Sequence, residues 1–554
     1  MEAKLTRRGF LVLTTAAGVG VLVGCTTKPG ESSAPSGTAS PGSAAGSGVS
    51  PQLEQFVDAL PLPGVMAPEA GSGAPLYEMA GMEFAQQLHR DLDPTRVYGF
   101  NGSYPGPTIE ARSGKPIQVK WVNRLPEEHF LPIDTTLHGA EANQPGGRMV
   151  VHLHGAHVPM DSDGYPENWI VPGESVVYDY PNNQIAAPLW YHDHVMGITR
   201  LNVYAGLVGL YLIRDDEEDA LGLPSGDYEV PLALQDKIFN EDGSMYYPPV
   251  NPDRPGHMWV PEFFGDTILV NGKVWPYLDV EPRKYRFRLY GGANARFFRL
   301  KLSNGAPFVV IGTEGGLLPE PAEMDEIVLG PGERADVIVD FTGMADERIE
   351  LTNDAPTPFP DGDPVDPETV GKVMCFKVTK ALSDSPDAAI PRSLRPVKRI
   401  PESKADVTRD FTFFEIVDGD DNPKTVQINK MDFDDPIVDK PMLGDTEVWN
   451  LINPTVDAHP IHLHLVHFQV LDRRPFDVKA WENTGKVIFT GEARPPEPHE
   501  SAWKDTVVAY PGEVTRIIQT FEDYAGKYPW HCHILEHEDN AMMLQFETVE
   551  RGGR

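Results

Sequence analysis

The sequence predicts an all-β chain made of three copies of a Greek-key sandwich or barrel domain, and three observations lead there. Composition is the first: 53 prolines and 51 glycines in 554 residues suit a turn-rich, strand-based protein, because proline breaks helices and central strands alike. A faint repeat is the second. Asn101-Gly102, Asn271-Gly272 and Asn429-Lys430 are each followed by a proline-containing turn and then an alternating strand, at 116–122, 284–289 and 446–452. Copies so far apart indicate whole domains rather than a solenoid of short units. Third, short strands recur between turn signals within each copy, the pattern of sandwiches and barrels. A chain of this length has room for three or four domains with cores of their own.

Along the chain, residues 1–25 read as an export signal. Thr6-Arg7-Arg8-Gly9-Phe10-Leu11 is a twin-arginine motif, and the apolar run from Leu11 to Val23 is too short to favour a spanning helix. Twin-arginine export carries folded proteins. The segment ends Leu22-Val23-Gly24-Cys25, which resembles a bacterial lipobox with Cys25 as the lipidated residue. Residues 26–50, rich in Ser, Gly, Ala and Pro, read as a flexible tether. The first domain is expected over 51–218, ending where charges and Gly-Leu-Pro-Ser interrupt the strands. The second is expected over 219–382, then a Pro-, Ser- and Asp-rich link at 383–406, then the third domain over 407–554. The expected location is the cell envelope, at the outer face of the cytoplasmic membrane through a lipid on Cys25, or secreted, with the chain a monomer.

Lysine plus arginine is 47 against 82 acidic residues, a formal charge of -35. That excludes nucleic acid as a partner, since its recognition needs a basic surface. Of the three cysteines, Cys25 is assigned to lipid and Cys532 to a metal. Cys375 remains, in the alternating stretch Val373-Met374-Cys375-Phe376-Lys377-Val378, and reads as a buried small hydrophobe.

The chemistry concentrates in four histidine motifs. His531-Cys532-His533 is followed by His537 and Met542, and thiolate, imidazole and thioether are the soft, low-symmetry ligand set of electron-transfer copper. On a strand, alternate side chains share a face. His531 and His533 therefore look one way and Cys532 the other, so that one strand serves two metal centres. His152-Leu153-His154, His192-Asp193-His194 and His462-Leu463-His464 each place two imidazoles on one face, about 7 Å apart along the backbone. Eight histidines thus stand in four pairs, and His459, Cys532, His537 and Met542 remain for the blue copper. A single zinc site needs only about four ligands and leaves most of them unexplained. The middle copy holds one histidine, His257, and no pair, which gives it a spacing or substrate-shaping role.

These stretches, His-Leu-His-Gly at 152–155, Trp-Tyr-His-Asp-His at 190–194, His-Pro-Ile-His-Leu-His at 459–464 and His-Cys-His-Ile-Leu-Glu-His at 531–537, resemble the four copper motifs of multicopper oxidases in order and spacing. Within that family the chain is similar to the bacterial spore-coat-type laccases, with bilirubin oxidases and phenoxazinone synthase as relatives. Gln87-Leu88-His89-Arg90-Asp91-Leu92, Asp161-Ser162-Asp163-Gly164-Tyr165-Pro166 and Val470-Leu471-Asp472-Arg473-Arg474-Pro475-Phe476 carry the closer likeness.

The resemblance implies three cupredoxin domains with a trinuclear copper cluster between the first and third, hence four copper ions per chain. It implies that His459, Cys532 and His537 bind type 1 copper with Met542 as weak axial ligand, Met543 being the adjacent alternative. It puts His152 and His462 on type 2 copper, and His154, His192, His194, His464, His531 and His533 on the type 3 pair. Glu538 and Asp163 match carboxylates used along dioxygen and proton channels. Asp193, between two ligands, is expected to be structural. The implied reaction couples one-electron oxidation of a small phenolic or aromatic reductant to reduction of dioxygen to water. A metallo-oxidase acting on Cu(I) or Mn(II), and a non-catalytic copper carrier or assembly protein, are the competing readings. His157 and Met160 depart from the expected pattern and either add a copper contact or pack. The segment 491–503 is expected beside the type 1 site, with an exposed edge of His537 or His459 at an open pocket.

Overall fold

Asn101, Asn271 and Asn429 have positive φ, 52°, 50° and 54°, and so do the residues after them, Gly102, Gly272 and Lys430, at 74°, 72° and 57°. Two consecutive left-handed residues make the tight hairpin turn that matches strand twist, and Asn and Gly tolerate it best. In each copy the Asn side-chain oxygen accepts the backbone N–H of a facing residue, Ala80, Ala233 or Thr412, at 2.8 Å each time. The Asn backbone N–H returns a bond to the same residue's carbonyl, at 2.9, 3.0 and 2.8 Å. The faint repeat of the sequence is thus one hairpin clasp used three times.

In this computed structural model residues 48–71, 73–251, 256–384, 387–417 and 423–552 are described, and the leader, Cys25 and the tether as far as residue 47 lie outside them. The protein is all-β, with three sandwiches in sequence. The first has a sheet ordered Thr95–Phe100, Leu76–Gln86, Ile117–Arg124, Ser175–Tyr180 and another ordered Gly106–Arg112, Val208–Arg214, Ala187–Asp193, Val151–His154. An eight-stranded sheet around Glu229–Phe239 and Lys284–Gly291, with a five-stranded sheet around Lys372–Lys377, makes the middle one. The third combines Pro423–Ile428, Val407–Val417, Thr446–Asn453, Glu513–Thr520, Phe468–Pro475 with Thr506–Ala509, His459–Leu463, Gly526–Cys532, Met543–Thr548. In every copy the first long strand lies parallel to the strand after the clasp: Leu76 beside Gln118, Glu229 beside Arg286, Val407 beside Glu447. Parallel neighbours need a crossover rather than a hairpin, which gives each copy its Greek-key path.

Two local details refine the domain limits. Phe56 and Leu60 donate their N–H groups to the carbonyls of Trp275 and Tyr277, at 2.9 and 2.7 Å. The start of the stretch assigned to the first domain therefore runs along the middle sandwich, a long-range pairing that local sequence pattern does not encode. The link at 383–406 is also pinned: Leu394 and Arg395 donate to Pro319 and Leu318 at 2.9 and 3.1 Å, and the Arg395 guanidinium holds Asp215 at 2.6 Å. Cys375 is fully buried in its strand. Among the described residues no helix is long and apolar enough to cross a membrane.

Candidate metal centre

Strand register builds the site. His152 stands directly opposite His192 on antiparallel neighbours of the first sandwich, and His462 opposite His531 in the third. The second histidine of each motif lies at or just past its strand end, and all eight are buried. Within the four motifs the ring centroids are 5.8, 5.8, 5.0 and 5.5 Å apart. This is closer than the backbone repeat, because the rings tilt together once they leave the strand.

The eight rings sort into a pair and two trios. His152 and His462 point their Nε2 atoms at each other across 3.4 Å. The Nε2 atom of His194 lies 3.2 Å from those of His464 and His531, which are 3.4 Å apart. His154, His192 and His533 offer nitrogens that lie within 4.8 Å of one another. The outer nitrogens have acceptors: carbonyls of Asp163, Asp505, Asp193 and Cys532 face Nδ1 of His152, His462, His192 and His531 at 2.6, 2.9, 2.9 and 3.1 Å. A carbonyl can only accept, so the ring proton sits on that outer side and the Nε2 lone pair faces inward. Lone pairs converging at 3.2 to 3.4 Å cannot hydrogen-bond one another. Among the described residues, His154 Nδ1, His192 Nε2 and both His533 nitrogens also have no hydrogen-bond partner. Buried polar atoms in that condition are costly, and a set of metal ions resolves the cost. Burial lowers His192 to about 3 and His194 to about 4, which keeps them in the neutral form that binds metal.

The other face of the same strand carries the thiol. Cys532 Sγ lies 3.6 Å from Nδ1 of both His459 and His537, and Thr455 Oγ1 holds His459 Nε2 at 2.8 Å. Met542 is fully buried, gives its N–H to His537 and accepts the Cys532 N–H at 2.9 and 3.0 Å. Met543, opposite His531 in the ladder, packs instead with Met196 and Phe433. Burial pushes the Cys532 thiol well up. A thiol so placed is ionised by a metal rather than by water.

Three domain families, each described as multicopper oxidase, match residues 85–146 with 140–218, 245–348 and 408–552. The chain is a multicopper oxidase. A laccase of Bacillus subtilis is 48% identical over 513 residues, which span 90% of this chain and 99% of that protein. A laccase of Haloferax volcanii is 43% identical over 532 residues, 90% and 86% of the two chains. The crystal structure of the multicopper oxidase McoA from the hyperthermophile Aquifex aeolicus matches with TM-score 0.72 at 31% identity, covering 89% of this chain and 99% of that one. Copper is the metal of this oxidase and dioxygen its electron acceptor.

Two carboxylates expected at the cluster touch it. Glu538 lies 3.2 Å from His194 Nδ1 and 3.1 Å from His531 Nδ1, and Asp163 Oδ2 lies 2.7 Å from His464 Nδ1. Burial raises Glu538, but the adjacent imidazoles outweigh it and leave the carboxyl well below its usual range, whereas burial raises Asp163. Asp193 is structural: its carboxylate accepts the N–H groups of Val150 and Val195 at 3.1 Å and the Asn202 amide at 2.8 Å.

A third carboxylate has no counterpart in the motifs. Asp505 puts Oδ1 3.1 Å from His154 Nε2, with Thr506 Oγ1 3.0 Å from the same atom. His154 is therefore turned to present Nδ1. The middle sandwich also reaches the oxidase's cluster, beyond the spacing or substrate-shaping role expected of it. Gly332, at φ +81°, packs so that a Cβ would meet His533 Cδ2 at 2.6 Å and His154 Cε1 at 3.2 Å. Gly332→Ala is expected to cost about 2 to 4 kcal/mol, from left-handed backbone strain and overpacking. Copper content and a thermal melt of the purified protein check it; wild-type copper and Tm would show that the loop yields.

The open alternatives of the sequence resolve in part. His157 is held at both nitrogens, by the Leu465 carbonyl and the Asp523 carboxylate at 2.9 Å each, and Met160 packs on the main core near Gly526. Among the described residues His157 joins no metal-holding group of His, Cys, Asp or Glu, and the contacts of both residues are packing contacts. The end of the 491–503 segment bonds to the middle sandwich, where Trp503 O accepts from Gly315 N–H and Thr313 Oγ1, each at 3.1 Å, while Arg494 pairs with Arg473 of the third sandwich at 2.8 and 3.0 Å. His459 and His537 are only 2% and 4% exposed, against the open imidazole edge expected; Val456, 56% exposed, lies in the loop before His459.

Proposed function

We propose that this oxidase is a laccase-type enzyme that removes electrons singly from small phenolic or other aromatic reductants and passes four of them to dioxygen, giving two waters. Convergence of eight buried imidazoles next to a thiolate site, on opposite faces of one strand, is the observation that carries the reading. The laccase relatives support the same class. We assign His459, Cys532, His537 and Met542 to type 1 copper, His152 and His462 to type 2, and the trios His154, His192, His533 and His194, His464, His531 to the type 3 pair. Bound there, copper would supply one-electron acceptance at the thiolate site and three further one-electron centres at the cluster, four electrons in all.

The protein's own groups do the rest. Cys532 joins the two centres through one peptide bond on each side, to His531 and to His533, so an electron that arrives at its sulfur has a covalent path to the cluster. Four phenols lose four electrons and four protons, and dioxygen takes up both to give water, so the cluster needs a proton supply. Glu538 is placed for it: its buried carboxylate faces two imidazoles of the cluster, and the residue lines a cavity of about 360 Å³ together with His138, Asp432, Asp434 and Met543. Asp163 serves the third imidazole of the same trio. The reductant is taken to approach over Thr455 and Val456, since both type 1 imidazoles are covered.

Oxygen uptake against a bulky phenol, Cu(I) and Mn(II), with copper quantified and visible absorption recorded, tests the reading. About four coppers per chain, a blue band that bleaches under phenol without oxygen, and four phenols per dioxygen are expected. Clear preference for a metal ion sinks the phenol assignment, and no oxygen uptake by a fully loaded sample sinks the enzyme. The motifs at 1–25 support twin-arginine export of the folded protein with a lipid at Cys25, and we place a monomer at the outer face of the cytoplasmic membrane. Detergent phase partitioning that is lost in Cys25→Ala checks the anchor.

A further inference from the structure

Arg334 lies in the middle sandwich, at the start of the strand Arg334–Asp340, and its side chain is fully buried. Its guanidinium reaches all three sandwiches. Nη1 and Nη2 make a fork on Asp505 Oδ1 and Oδ2 at 2.7 and 2.5 Å, Nη1 also donates to Gly332 O at 2.9 Å, and Nε donates to Pro188 O at 3.0 Å. Each partner supports cluster histidines. Asp505 holds His154 by its carboxylate and His462 by its carbonyl. Gly332 abuts His533, and Pro188 lies on the strand that carries His192. The supports of the whole trio His154, His192, His533, and of His462 from the pair, thus meet on one side chain. The other trio is held elsewhere, by Glu538 and Asp163.

Space for this contact is built in. Gly155 follows His154 at φ +86°, and a Cβ there would lie 2.5 Å from both Arg334 Nη2 and Asp505 Oδ2. The Arg334 backbone N–H is itself anchored to Glu314 Oε1 at 3.0 Å, and Glu314 also takes Lys504 Nζ, next to Asp505, at 2.9 Å. A planar fork fixes a carboxylate in position and angle where a point charge does not.

We propose that Arg334 is a positioning residue for the cluster, which sets through Asp505 the ring nitrogens that His154 and His462 present to copper, and does so for one trio and not the other. This rests on the copper assignments above. Groups that orient metal ligands are worth roughly 10- to 100-fold in metal affinity. Arg334→Met should therefore release cluster copper to a chelator at roughly 10- to 100-fold lower chelator concentration, with altered paramagnetic resonance of the type 2 copper. The blue band and its anaerobic bleaching should be unchanged. Arg334→Lys, which keeps charge without the fork, should fall between, and it carries the test if the Met variant does not fold. Arg286→Gln is the control, since it breaks an equally buried pairing with Asp336 and Glu218, at 2.8 and 2.9 Å, away from the histidines. It should lower Tm and leave copper extraction as in wild type. If the Arg334 variants lose copper no sooner than the control, or lose blue and cluster copper together, the proposal is overturned while the copper assignments stand. A wild-type protein without a blue band would overturn those assignments instead.

Discussion

Cys532→Ser is expected to lose the blue absorption and oxygen uptake together. Sγ stands between His459 and His537 at 3.6 Å, and a hydroxyl offers neither the soft donor nor the charge transfer that gives blue copper its colour. The residue is also the covalent bridge, because its two peptide bonds lead to His531 and His533 in opposite trios. His152, His154, His192, His462, His464 and His531 keep their own outer partners, so the variant should still fold and hold copper at the cluster. Absorption, copper quantification and oxygen uptake on one preparation check all three. A retained blue band would defeat the ligand assignment.

Glu538→Gln is expected to lower turnover by roughly 10²-fold or more, the range for loss of a proton-transfer group, while the blue band and its anaerobic bleaching persist. One carboxylate faces the Nδ1 atoms of His194 and His531 at 3.2 and 3.1 Å and can accept from both. An amide has one accepting oxygen and one donating nitrogen, so one of the two rings meets a donor and loses its outward proton. The defect should appear in reoxidation by dioxygen, measured by stopped flow after reduction. Reoxidation at the wild-type rate would remove Glu538 from the proton path.

How much of this was legible in the sequence depends on whether a residue belongs to a periodic pattern. The eight imidazoles and Cys532 stand out because a strand's period of two writes opposite faces into adjacent letters, and two of the three clasps stand out because Asn-Gly marks a left-handed turn, the third having Asn429-Lys430 in its place. Asp505, Arg334 and Gly332 belong to no pattern. Each is one residue whose partners lie in another sandwich. The trio membership was hidden for the same reason: each trio combines three strands, and the tilt of rings beyond strand ends is set by outer acceptors that the motif does not name. The burial of His459 and His537 also escaped, since exposure depends on how loops from other parts of the chain settle over them.

The cluster draws four ligands from the first sandwich and four from the third, with none from the middle one. Metal bound there fastens His152 to His462, and His154 and His192 to His533, across the intervening sandwich and closes the chain into a ring. Without it, the ends are joined only by protein contacts and by the link at 383–406. Because binding to the closed form alone stabilises it by mass action, protease sensitivity at that link should report copper occupancy, slow in the loaded ring and faster in the opened string.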